Sequence, residues 1–94
     1  MDPRVGRIIE FLNDQRIRAT YDAVGDLAGV SARSVAGLLG GRQPRASWVV
    51  AKKDLKPTGY TDNEMHQDLF VNPDVIMTGD ELTRRMKKWN PPKR

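Results

Sequence analysis

The chain contains no cysteine, and this absence excludes a disulfide framework, a thiolate metal site and a thiol nucleophile. Histidine occurs once, at His66, so a soft-metal site lacks the ligands it would need. Long apolar runs are missing too, and charges interrupt the first sixteen residues every few positions, unlike a signal peptide or a membrane span. We therefore predict a cytoplasmic protein without a metal, a cofactor or a membrane partner.

Catalytic motifs are equally scarce. Glu64 and Asp68 flank His66 at the spacing of one helical turn, but carboxylates in this arrangement are more typical of a solvated face than of a magnesium site. The glycines of "LLGGR" lack the remaining residues of a phosphate-binding loop. No Ser, Thr or Lys has a neighbouring base that would single it out as a nucleophile. The sequence predicts a protein that is not an enzyme.

Charge is distributed unevenly along the chain, whose formal net charge is +4. Residues 16–56 hold eight Lys or Arg against three Asp, whereas residues 57–83 hold six acids and no Lys or Arg. Residues 84–94 are basic again. A basic centre favours a nucleic-acid partner, although an uneven but ordinary soluble surface would give the same count.

The apolar spacing at the N-terminus predicts a first helix. Val5, Ile8, Ile9 and Leu12 fall on one face of a helix over Pro3–Gln15. Residues 16–20 then alternate cationic and apolar side chains, which indicates a short extended link.

Two short helices follow, joined by a turn that contains glycine. Thr20 is placed to cap a helix over residues 21–28, and Ser31 to cap another over residues 32–39, with Gly29 in the turn between them. Such a pair is a helix-turn-helix.

The second helix of this pair has an unusually bare exposed face. The residues expected to face solvent are Arg33, Ser34, Ala36 and Gly37, which offer few groups for reading base edges in a major groove. Small side chains would let the helix backbone approach a minor groove closely, with Arg33 reaching the bases. Tight packing against another helix would need the same residues, and the pattern does not separate the two.

The rest of the chain predicts a small β element and a final helix. Residues 47–51 have the composition of a strand, and a Pro-Thr-Gly turn follows, which we interpret as a β-wing. A helix can begin at residue 61 or 62, and a last helix over residues 78–89 has a Thr78 to Glu81 capping box, followed by a tail over residues 90–94.

The predicted fold is mainly α with a small β-wing, in the α+β class: a winged helix-turn-helix with a three-helix core and a C-terminal helix. We expect a single domain over residues 1–94, in which residues 1–59 form the helix-turn-helix and wing. Residues 60–94 would form an acidic segment and the C-terminal helix.

Residues 18–40 resemble the DNA-binding segment of alkylguanine-DNA alkyltransferases and their cysteine-free relatives, the alkyltransferase-like proteins. "TYDAVG" (20–25) is similar to the Thr/Ser-Tyr-Gly stretch that opens the first hairpin helix of that family. "ARSVAG" (32–37) is similar to the Ala-Arg-Ala-Val-Gly stretch of its second. The likeness is weaker over residues 44–59 and covers little beyond them.

The resemblance implies a winged helix that binds the minor groove of duplex DNA and recognises damaged or alkylated bases by base flipping. Arg33 resembles the arginine finger that fills the gap left by an extruded base, and Tyr21 the tyrosine that turns the target phosphate. The family's reactive Pro-Cys-His-Arg-Val block is replaced here by "RASW" (45–48), which excludes alkyl transfer. Gln43 stands where the family has its hinge asparagine.

The sequence thus predicts a monomeric, non-enzymatic protein that binds double-stranded DNA. The residues expected to contact DNA are Arg18, Thr20, Tyr21, Arg33, Ser34, Gly37, Arg42, Arg45, Trp48, Lys52 and Lys53. For Tyr21 and Trp48 a place in the core is an equally simple interpretation. Two other functions remain open: a sequence-specific winged-helix transcriptional regulator, and a protein-interaction module that docks a partner through the acidic residues 58–83.

Overall fold

The first helix, α1, spans Pro3–Gln15, as the apolar spacing predicts. In the computed structural model, which describes residues 2–91, the Asp2 side chain caps this helix by accepting from the Arg4 backbone N–H. The helix ends where Arg16 adopts a left-handed conformation. Its apolar stripe, which includes Val5, Ile9 and Leu12, is fully buried.

The helical hairpin also forms as predicted, with α2 over Tyr21–Ala28 and α3 over Ala32–Leu39. The Thr20 hydroxyl accepts from the Ala23 N–H, and the Ser31 hydroxyl accepts from the Ser34 N–H, so both predicted caps are confirmed. Gly25 lies within α2 and faces the turn that leads to α3. A Cβ on it would come within 2.7 Å of the Val30 carbonyl oxygen in that turn.

A three-stranded parallel sheet lies beside the hairpin. Strand β1 (Arg18–Thr20) is central, with β2 (Val49–Val50) on one side and β3 (Val75–Ile76) on the other. Ala19 is opposite Val49 in one pair and opposite Ile76 in the other. The predicted strand near residue 49 is confirmed, whereas β3 has no counterpart in the sequence interpretation because it is only two residues long.

The last helix, α4, spans Gly79–Lys87 and packs on α2. The Thr78 hydroxyl caps it by accepting from the Glu81 N–H. A Cβ on Gly79 would come within 2.5 Å of the Asp26 Cβ, so the contact between the two helices requires glycine there. One continuous core joins residues from Val5 to Trp89, and the C-terminal third is therefore part of the same hydrophobic core.

Two local predictions are corrected by the structure. The helix expected from residue 61 or 62 is a single 3-10 turn, Asp62–Glu64, in which the Thr61 and Glu64 side chains cap each other. The second correction concerns the β-wing expected from residues 47–60. The strand in this segment, β2, pairs in parallel with β1, and no antiparallel hairpin occurs among the described residues. The α+β class with four helices is confirmed, and the wing is not.

Two further predictions concern the ends and the membrane. Of the predicted tail, residues 92–94 lie outside the described part of the chain. Within residues 2–91, none of the helices has the length and apolar character that crossing a bilayer requires.

The packing of α2 against the turn that follows it should be sensitive to the size of the side chain at Gly25. We expect Gly25→Ala to lower the free energy of unfolding by about 1–3 kcal/mol, because the new methyl group would overlap the Val30 carbonyl. The control is Gly6→Ala in α1, where nothing lies within 4 Å of the new Cβ, and which should stabilise by up to about 1 kcal/mol. Urea unfolding measures both, and equal stability of the two variants would contradict the assignment.

Candidate nucleic-acid interface

Helix α3 presents the bare face that the sequence predicts. Arg33, Ser34, Ala36 and Gly37 are all exposed, while Val35 is fully buried beneath them. Since these residues are exposed, their small size does not serve packing against another helix within residues 2–91. At Gly37 no atom lies within 4 Å of where a Cβ would stand, so the α3 backbone is accessible there.

A small cleft of about 170 Å³ adjoins α3. Its walls come from the start of α2, the second half of α3 and the segment that leads to residue 60. The groups that can interact with a ligand there are the Tyr21 and Tyr60 rings and the Arg42 guanidinium. The cleft is smaller than the roughly 300–1,000 Å³ of most small-molecule sites, which suits part of a larger ligand such as one base of a nucleic acid.

Hydrogen bonds hold the two tyrosines of the cleft. The Thr58 backbone N–H donates to the Tyr21 hydroxyl oxygen over 3.2 Å, which leaves the hydroxyl proton available to an acceptor. Partial burial raises the pKa of Tyr60, and a hydrogen bond from the Gln43 backbone acts in the opposite direction. Tyr60 is thus a neutral hydrogen-bonding group at physiological pH.

Arg42 reaches the cleft across a glycine. Gly59 has a φ of +77°, and its missing side chain leaves room for the Arg42 guanidinium, whose Nη2 lies 3.1 Å from where a Cβ would stand. This conformation favours glycine in any case. The backbone at Gly59 therefore places a cation beside the two tyrosines.

The remaining predicted cations are exposed to different degrees. Lys52 and Lys53 are exposed in the turn that follows β2, and Arg45 is half-buried. The structure thus leaves seven of the predicted contact residues accessible or partly so in addition to Tyr21: Arg33, Ser34, Gly37, Arg42, Arg45, Lys52 and Lys53.

Three predicted contact residues are buried instead: Arg18, Thr20 and Trp48. Thr20 is occupied as the cap of α2, and its hydroxyl also donates to the Met77 carbonyl. Trp48 donates its indole N–H to Asn13 and packs against the His66 ring at 4.9 Å. These two residues support the surface from inside and do not reach a ligand.

Arg18 fastens two loops to the central strand. Its guanidinium donates to the Leu55 carbonyl through Nη1 and to the Asn72 carbonyl through Nη2, and the Phe70 ring covers it at 5.2 Å. Its Nε has no partner within the described residues. Burial lowers the pKa of this guanidinium, which nevertheless remains charged because free arginine titrates far above neutrality. The sequence interpretation missed this role because alternation placed Arg18 on a polar side.

His66 belongs to the packing around Trp48. Its backbone N–H donates to the Ser47 hydroxyl, and its Nδ1 accepts from the Asp68 N–H. Its Nε2 faces Arg16, which also pairs with the Asp68 carboxylate. Across the described part of the chain, no group of three or more His, Asp or Glu side chains is arranged to hold a metal ion.

Sequence reasoning missed Tyr60 and Thr58 as parts of the site. Both lie in the Pro-Thr-Gly-Tyr stretch (57–60), which was interpreted only as a turn. An aromatic residue directly after a turn glycine was the available signal, but its proximity to Tyr21 depends on the path of the chain between them.

Comparison of the chain with protein-family models, with curated proteins and with solved structures finds no match.

Arg18 should therefore contribute to stability. We expect Arg18→Met, which keeps the apolar stem, to lower the free energy of unfolding by about 2–4 kcal/mol, because both carbonyls lose a charged donor. Arg84→Met, an exposed position on α4, is the control and should stay within about 0.5 kcal/mol of the parent. Denaturant unfolding measures the difference, and an equally small effect at Arg18 would show that the two bonds contribute nothing.

Proposed function

We propose that this chain is a cytoplasmic, non-enzymatic DNA-binding protein that places α3 in the minor groove of a duplex and recognises damaged or alkylated bases. The observation that carries the proposal is the exposed, small-residue face of α3 next to a cleft with two tyrosines and an arginine. The resemblance of residues 18–40 to alkyltransferase-like proteins points to the same function.

The first supporting argument is steric. A helix that enters a narrow minor groove must bring its backbone close to the sugars, and Ser34 and Gly37 allow this on the exposed face. Arg33 lies in the first turn of α3, where the helix dipole adds to its positive charge. It is the one long side chain on this face, and in the proposal it enters the base stack.

The second argument concerns the cleft. A base extruded from the duplex needs an aromatic surface and a polar edge, and Tyr21, Tyr60 and Arg42 supply both beside α3. The free hydroxyl proton of Tyr21 can also reach a phosphate. Extruding a base from the duplex costs a few kcal/mol, and the cost is lower for a damaged or mispaired base. This difference lets a protein select lesions without reading the base sequence.

The third argument is electrostatic. Arg42, Lys52 and Lys53 are exposed on chain segments that lead into or away from the cleft, where they can neutralise phosphates. Arg45 contributes less because it is half-buried. A hydrogen bond from the Ala51 N–H to the Lys56 carbonyl closes the turn that carries both lysines, and in the proposal this turn would contact the DNA backbone.

The proposal includes no covalent chemistry. Ser47, in the segment that replaces the reactive block of the resembled family, is fully buried. Its hydroxyl donates to the Pro44 carbonyl and accepts from the His66 N–H, so it is fully engaged within the fold. The chain would hold a damaged base without transferring any group from it.

Close approach of α3 can be tested at Gly37. Neither Gly37 nor Gly6 has an atom within 4 Å of a new Cβ, so alanine at either position should stabilise its helix by up to about 1 kcal/mol. We expect only Gly37→Ala to weaken duplex binding, by about tenfold or ~1.4 kcal/mol, because its methyl group would stand between backbone and groove. Fluorescence anisotropy with a labelled duplex measures this, and equal affinities of the two variants would rule out the α3 approach.

The role of Arg33 can be tested by comparing two matched duplexes, one of which carries an alkylated guanine. We expect Arg33→Ala to reduce the preference for the damaged duplex by about tenfold, while overall affinity falls less, because insertion matters only when a base is extruded. Lys53→Ala is the control: it should weaken both duplexes equally and reduce the salt dependence by about one phosphate contact.

The same titration separates the rival functions. Equal loss on both duplexes for Arg33→Ala would contradict the finger assignment. Protection of a single palindromic sequence would indicate a transcriptional regulator instead, and undetectable binding at low salt would leave a protein-interaction module.

A further inference from the structure

A second cleft, of about 390 Å³, lies between the carboxyl-terminal ends of α1 and α4. The lining residues that matter below are Gln15, Ile17, Asn72, Arg85, Lys88 and Trp89. Its volume is within the roughly 300–1,000 Å³ that is typical of small-molecule sites. The cleft beside α3 shares no lining residue with it.

The two clefts lie at opposite ends of the central strand. Ile17, which lines the larger cleft, directly precedes β1, and Tyr21, which lines the smaller one, directly follows it. The four residue steps from Ile17 to Tyr21 separate the two positions by roughly 13 Å of extended backbone. A ligand in the larger cleft is therefore held by different residues from those of the proposed DNA interface.

Charge in the larger cleft favours an anion. Arg85 and Lys88 line it, and both also line an adjoining smaller depression together with Arg84. Glu81 lines that depression too, and its carboxylate lies 3.4 Å from the Nε of Arg85. One carboxylate cannot occupy all five N–H donors of a guanidinium, so Arg85 can still bind a second acceptor. The nearby Asp14 carboxylate accepts from the Trp89 indole over 2.8 Å.

A buried charge stands behind the wall of the same cleft. The Arg18 guanidinium donates to the carbonyl of Asn72, whose residue lines the cleft. Among residues 2–91 no carboxylate forms an ion pair with Arg18. The two carbonyls and the Phe70 ring that contact it carry no net negative charge, so the positive charge of Arg18 adds to the potential that an anion would experience.

Two of the amide side chains that line the cleft, Gln15 and Asn72, offer an acceptor and a donor. Gln15 uses its amide nitrogen on Asp14, which leaves its carbonyl oxygen as an acceptor. Asn72 uses its carbonyl oxygen on the Asp74 N–H, which leaves its amide nitrogen as a donor. A donor and an acceptor that line one cleft are the kinds of group that the edge of an adenine matches.

We propose that this cleft binds a nucleotide, with its phosphate on Arg85 and Lys88 and its base toward the amides of Gln15 and Asn72. The shared chemistry is a phosphomonoester attached to a nucleoside, either as a free nucleotide or as the 5′ end of a single strand. This inference does not rest on the proposed DNA interface, because the two sites have no residue in common.

The two tryptophans provide an internal control for the test. Trp89 lines the cleft and donates its indole N–H to Asp14, whereas Trp48 donates its own to Asn13 in the core. In ¹⁵N-labelled protein, titration with AMP should move the Trp89 indole signal saturably and leave the Trp48 signal in place. Adenosine, which lacks the phosphate, should produce no saturable shift. No saturable shift of Trp89 with AMP or with a phosphorylated strand, or parallel shifts of both indoles, would overturn the proposal.

A charge-matched set of variants tests the residues. Arg85→Ala and Lys88→Ala, both at exposed positions, should each weaken AMP binding by about tenfold, since each removes a cation that contacts the phosphate. Lys87→Ala removes the same charge from the same turn of α4 but from outside the cleft, and should change the affinity by less than about twofold. If AMP is attracted only by the general positive charge at the end of α4, Lys87→Ala would weaken binding equally, and the proposal would be wrong.

Two further ligands identify the source of the phosphate. A 5′-phosphorylated oligonucleotide is compared with the same strand without the phosphate. Tighter binding of the phosphorylated strand than of AMP assigns the cleft to a strand end, while tighter binding of AMP assigns it to a free nucleotide.

Discussion

The rest of the structure depends on β1, a strand of only three residues that is paired on both sides. Its backbone connects β2 and β3, and its three side chains are all buried. Arg18 holds the loops at Leu55 and Asn72, and Thr20 caps the helix that begins with Tyr21. Two of its three residues, Arg18 and Thr20, therefore join the sheet to segments outside it.

Both candidate sites follow from the position of this strand. The cleft beside α3 forms where β1 ends and α2 begins, and the larger cleft forms where α1 ends and β1 begins. Arg18 links them physically, because the loop it holds at Leu55 leads to Thr58 and Tyr60, and the loop it holds at Asn72 lines the larger cleft. A cation that the sequence assigns to a DNA surface therefore supports two surfaces from inside.

The segment around Trp48 is used for packing within the fold. Ser47, Trp48 and His66 form a packed and hydrogen-bonded cluster with no exposed nucleophile. Part of the acidic segment is used in the same region, where Asp68 pairs with Arg16. The acidic residues thus neutralise a cation at the end of α1, while Arg33 and Arg42 stay exposed near α3.

Sequence by itself determined the four α-helices, the caps at Thr20, Ser31 and Thr78, and the bare face of α3, because these depend on spacing within a few residues. The tertiary structure alone decided that Arg18 is buried, that a strand pairs with β1 from 57 residues away, and that Tyr60 lies beside Tyr21. These features depend on which distant segments meet. A two-residue strand and a buried arginine leave no periodic signal, since the partners that stabilise them lie far along the chain.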